Sequence, residues 1–150
     1  MSSEQEPQIA VLDTNIVLDL FLFQDPRCEP LRQAIAQGSL KWFATQHMRN
    51  ELERVLTYSH ITAKLEYYKK SSEHILAEFD RHTTKAPEPT QKAPYTCKDA
   101  DDQVFIDLAH TLAQQHPGQI IALHSKDKAV LCMRKRLEKL SIHVSVPKSV

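Results

Sequence analysis

The stretch QIAVLDTNIVLDLFLF, residues 8–23, has the composition of a buried strand running into a buried helix, yet it carries Asp13 at its centre with Thr14 and Asn15 behind it. Ile9–Leu12 is short, apolar and β-branched, and Ile16–Phe23 continues apolar at mixed spacing, so Asp13 falls at the junction of the two elements. A buried ionised carboxylate costs several kcal/mol or more unless it is paired, hydrogen-bonded or bound to a metal. Asp13 therefore needs a compensating group.

Moving outward from this stretch, the spacing predicts a helix over 26–37, with Asp25 as N-cap, Pro26 at the first turn and Gly38 just past the end. Leu40–Ala44 reads as a second strand. In TQHMRNELERVLT, Met48, Leu52, Val55 and Leu56 trace one helical stripe that places Glu51 at its edge and Glu53 away from it. Residues 61–82 fit one long helix or two shorter ones, and TTKAPEPTQKAPY, with three prolines, reads as a loop. A helix is expected from about Asp101 to Gln115, then a strand over Ile120–Leu123, a final amphipathic helix in SKDKAVLCMRKRLEKL, and a last strand over Ile142–Val146. Strands alternating with helices predict one α/β domain spanning residues 1–150, with a mainly parallel twisted sheet and a disordered head over 1–8.

Composition narrows the function. Lys plus Arg equals Asp plus Glu at 19 each, so any nucleic-acid contact must be local, not a product of net charge. The only two glycines, Gly38 and Gly118, form no phosphate-cradling motif. Three widely spaced cysteines lack zinc or redox spacing and read as free thiols; with a polar, acidic head that resembles no secretory signal and no membrane-length apolar run, a cytoplasmic chain is expected.

Ligands of open α/β sheets collect at the carboxyl ends of strands. Asp13 follows the first strand, and Asp127, in a turn with Ser125, follows the strand at 120–123. Asp99, Asp101 and Asp102 crowd the start of the next-to-last long helix, and Glu51 borders a buried stripe. Asp is also a favoured N-cap, which explains any one of these aspartates alone. It explains less well why three gather in DADD, and it fails for Glu51 inside its helix. Crowded carboxylates need a counter-charge, and an all-oxygen ligand set points to Mg²⁺ or Mn²⁺. The chemistry implied is phosphodiester hydrolysis.

With these positions marked, the chain resembles the PIN domain family, small metal-dependent nucleases with a three-layer α/β/α fold that include ribonuclease toxins of toxin–antitoxin pairs. VLDTNIVLDL resembles the family's first motif, NELERVL the second, DADDQVFIDLA the third and ALHSKDKAVL the fourth. The resemblance implies that Asp13, Glu51, Asp102 and Asp127 form the catalytic, metal-binding acidic set, holding one or two Mg²⁺ or Mn²⁺ ions. Asn15 and Ser125 would support that set by hydrogen bonds, and Asp99 and Asp101 would be caps or outer groups. Ser125 stands where relatives commonly have Thr, and Ala100 where this subgroup often has Pro. The implied substrate is RNA and the implied partner an antitoxin protein.

Other residues divide between function and packing. Lys126 and Lys128 are candidates for contact with substrate phosphate or a solvated helix face; Tyr67 and Tyr68, beside Lys69 and Lys70, for base stacking, core packing or partner contact. The apolar second helix with residues 61–82 offers a dimer or antitoxin surface, or packs within the monomer. Alternatives to the nuclease reading are an RNA-binding or scaffold protein without turnover and a phospho-aspartate phosphotransfer protein. Asn15, two residues after Asp13 where phosphatases of the latter kind carry an acid, counts against the second.

Overall fold

Five parallel strands in the order β3-β2-β1-β4-β5 make the central sheet of the computed structural model, which describes residues 6–146. The strands are β1 (Gln8–Leu12), β2 (Leu40–Ala44), β3 (Thr83–Lys85), β4 (Ile121–His124) and β5 (Ile142–Ser145). Helices α1 (Thr14–Phe21), α2 (Glu29–Gln37), α3 (Gln46–Val55), α4 (Ser59–Tyr67), α5 (Ser72–His82), α6 (Ala100–Gln115), α7 (Lys128–Leu131) and α8 (Arg134–Glu138) flank it as an α/β/α sandwich. Of the head expected to be disordered, residues 1–5 lie outside the described residues, and Gln8 already pairs with Leu40.

The middle strand explains its own sequence. Ile9, Ala10, Val11 and Leu12 are all buried, because β1 has neighbours on both edges and helices on both faces. Next to it Trp42, 1 % exposed, stacks on Phe21 and takes the Phe79 ring edge-on at 5.3 Å, which welds α1 and α5 to β2. Helix α6 covers β1, β4 and β5 with Phe105, Ile106, Leu108, Ala109 and Leu112.

Several boundaries differ from the sequence reading. Strand β3 occupies Thr83–Lys85, inside the stretch expected to be loop; three polar residues carry no alternation and become a strand only by pairing with Trp42–Ala44. Pro26–Cys28 forms a short 3₁₀ turn before α2, and Gly38 ends that helix at φ +78, a left-handed cap suited to glycine. Residues 61–82 resolve into α4 and α5, and the expected final helix into α7 and α8.

The order 3-2-1-4-5 has a topological switch between β1 and β4. Connections leave these two neighbouring strands toward opposite sides of the sheet, so a crevice opens outside their carboxyl ends. Asp13 follows one of these strands directly and Ser125 the other.

Candidate active site

Asp13 sits where β1 becomes α1. Its Oδ1 accepts from the Ile16 backbone N–H at 3.0 Å, capping the helix, and its Oδ2 accepts from Ser125 Oγ at 2.5 Å. The group is 4 % exposed and Ser125 is fully buried. Burial pushes the Asp13 pKa up; the Ser125 and Ile16 hydrogen bonds oppose that rise. Ser125 in turn accepts from the Asp127 backbone N–H at 3.1 Å. One hydroxyl thus fastens the end of β1 to the turn after β4.

Asp127 caps α7 through the Ala129 N–H, and Asp99 caps α6 through the Asp101 N–H. Capping and clustering hold together: oxygens of Asp99, Asp102 and Asp127 all lie within 4.8 Å of one another. Asp102 comes three residues before Phe105 and seven before Ala109, on the inward face of α6, whereas Asp101 is one step round and exposed. Asp102 Oδ2 is buried with no hydrogen-bond donor. Burial, then the Asp127 carboxyl and the charges of Asp127, Asp99 and Asp13, raise its pKa to about 8.

An orphaned buried carboxylate oxygen amid three converging acids is the arrangement a hard divalent cation satisfies, since it replaces mutual repulsion by shared attraction. The donor set contains oxygen only. His124, at the end of β4, lies outside the three-acid cluster; burial and the neighbouring His143 lower its pKa to about 4, so the ring is neutral, and both ring nitrogens lack partners.

The remaining sequence candidates are placed as follows. Glu51, with its side chain 13 % exposed, projects from α3 and accepts from Thr14 Oγ1 at 2.9 Å, next in the chain to Asp13; Arg54 approaches its other oxygen at 4.0 Å. It flanks Asp13 and is not part of the three-acid cluster. Asn15 is exposed and makes no side-chain hydrogen bond among the described residues, so Thr14 does the tethering expected of Asn15. Lys128 is exposed at the start of α7.

Lys126 takes a different role from the substrate contact considered for it: its Nζ pairs at 2.5 Å with Asp19 of α1, which is 7 % exposed. In the sequence, Asp19 interrupts the apolar run of residues 16–23. The same cost argument that singled out Asp13 applies to it, and it could have prompted the search for a cation. The ion pair clamps the β4–α7 turn onto α1, beside the hydroxyl bridge that Ser125 makes to Asp13.

Acids delivered to the switch point of a parallel sheet, converging on one unsatisfied oxygen, are an arrangement compatible with a divalent cation in an α/β protein. A family model for the PIN domain matches residues 10–116, more than two thirds of the chain, and the chain belongs to that family. PIN domains are generally nucleases that use divalent metals, which assigns a hydrolase at that coarse level. The matched region contains Asp13, Glu51, Asp99 and Asp102; Ser125 and Asp127 lie beyond it. A comparison with curated proteins found no match to the chain.

Proposed function

We propose that this chain is a Mg²⁺- or Mn²⁺-dependent ribonuclease, with Asp13, Glu51, Asp102 and Asp127 as its acidic set and Asp99 as an added donor. The observation that carries the reading is the unpartnered, buried Asp102 Oδ2 facing Asp99 and Asp127 at the β1/β4 switch point. A bound divalent ion would supply a lowered water pKa and counter-charge for the phosphate.

The chain's own contribution is preorganisation. Ser125 orients Asp13, the α6 and α7 N-termini orient Asp99 and Asp127, and Thr14 holds Glu51 at the flank. With these groups already in place, little reorganisation accompanies the reaction. The finer role, the toxin of an antitoxin-controlled pair working in the cytoplasm, rests on the motif resemblance and belongs to the same proposal.

The test is cleavage of single-stranded RNA by the purified chain in Mg²⁺, Mn²⁺ or excess chelator, beside Asp13→Asn. Asparagine keeps an acceptor for the Ile16 N–H, so circular dichroism should be unchanged while cleavage falls by about 100-fold or more. Equal cleavage by Asp13→Asn, or cleavage that persists in chelator, overturns the proposal.

A further inference from the structure

Among the described residues only four large hydrophobic side chains are exposed, and two of them, Tyr67 and Tyr68, are adjacent at the end of α4. Tyr67 is 75 % exposed. Its ring stands edge-on to Tyr68 at 5.0 Å and 88°, and Tyr68 is braced edge-on by Phe23 at 5.9 Å. The pair is therefore a supported platform and not a loose projection. Lys64 Nζ lies 6.0 Å from the Tyr67 ring centroid.

The turn that follows is basic and concave. Lys69 and Lys70, with Ser71 and His74, line an open cavity of about 570 Å³. Lys69 holds φ +57, a left-handed conformation in which a lysine costs more than the glycine or asparagine usual there. Lys70 and His74 also line a second cleft, whose other walls include Arg32, Glu78 and His82. In residues 64–74 the three lysines outnumber Glu66 and Glu73, in a chain whose net charge is zero.

Aromatic faces flanked by flexible cations are what a single nucleic-acid strand needs: every base offers a π-face and every link a phosphate. The platform also has a defined relation to the acidic crevice. Phe23, which braces Tyr68, follows the C-terminal end of α1, whose N-terminal end Asp13 caps, and the eight residues of that helix span about 12 Å.

From this juxtaposition we infer that the α4–α5 corner is a second contact for single-stranded RNA, with bases stacking on Tyr67 and Tyr68 and phosphates held by Lys64, Lys69 and Lys70. The ligand class rests on the ribonuclease reading; the surface does not. Strands long enough to reach from the crevice to the corner gain affinity, and short ones do not.

The test uses the full chain in chelator, a fluorescein-labelled polyuridine RNA of about 15 nucleotides, and fluorescence anisotropy. Tyr67→Ala is expected to weaken binding about tenfold. The double variant Lys69→Ala/Lys70→Ala should lower the slope of log affinity against log salt by about 1.4. Tyr58→Ala, at an exposed tyrosine on the far end of α4, should leave affinity unchanged. Wild-type affinity in both corner variants, or an equal loss in Tyr58→Ala, overturns the inference. So does a Tyr67→Ala protein that changes oligomeric state by light scattering while binding RNA normally, since the corner then belongs to a second copy. Metal-dependent cleavage with corner variants that bind normally sinks the corner and leaves the ribonuclease reading standing. Corner-dependent binding with no cleavage in any metal does the reverse.

Discussion

Replacing Asp102 by asparagine should make the metal-free protein more stable at alkaline pH, although it removes a central member of the acidic set. An aspartate in the unfolded chain titrates near 3.9, whereas folded Asp102 keeps its proton to about pH 8, chiefly because burial disfavours the anion. Between those values the folded chain binds one more proton than the unfolded chain. Its contribution is complete below the unfolded pKa and declines as pH rises toward the folded one, by about 1.4 kcal/mol per pH unit. Four units set a ceiling of about 6 kcal/mol. Asparagine has no such proton to lose, but it fills the site less favourably than a protonated carboxyl. We therefore expect Asp102→Asn to match wild type near pH 4.5 and to exceed it by about 2–3 kcal/mol at pH 8. In a chain of this size that is a Tm gain of about 8 °C. The assay is urea and thermal unfolding in chelator across that pH range, repeated with saturating Mn²⁺. The ion should reverse the order, adding about 2.7 kcal/mol to wild type at a hundredfold excess over Kd and little to the variant. A variant no more stable than wild type at pH 8 in chelator, or equal stabilisation of both by Mn²⁺, would refute the reasoning.

Two further outcomes follow from the clamps around this site. Lys126→Met leaves Asp19 buried without its cation and should cost about 2 kcal/mol in urea unfolding; Lys126→Arg, or pairing Lys126→Met with Asp19→Asn, should recover most of it, and no loss in the single variant would mean the ion pair holds nothing together. Ser125→Ala removes the donor to Asp13 Oδ2 and the acceptor of the Asp127 N–H at one stroke. It should cost about 1–3 kcal/mol and raise the Asp13 pKa further, measurable as a destabilisation that grows from pH 4 to pH 7.

The local elements were largely legible because their causes are local. Apolar spacing placed β1, β2, α3 and α6 within a residue or two and Gly38 marked the end of α2, whereas Asp25, read as the N-cap of that helix, caps the 3₁₀ turn that precedes it. Strand β3 was not legible, since its polar residues are held by pairing with β2 alone. The split of the last helix was equally hidden: Cys132 and Met133 keep an amphipathic spacing across the break between α7 and α8.

The site shows the same division. A charge at the end of an apolar strand is expensive wherever the chain folds, so Asp13 could be singled out from residues 8–23, whereas the choice of Asp102 within DADD rests on the resemblance to the family's third motif. The sequence by itself therefore determined the α/β class and which acids stand at element ends. Only the tertiary structure decided which acids meet. Strand order put the ends of β1 and β4, 112 residues apart, within one hydroxyl of each other, drew Asp99 into the cluster, left Glu51 at its flank and committed Lys126 to Asp19. Those distances are set by how the sheet is wound and packed, and no spacing along the chain encodes them.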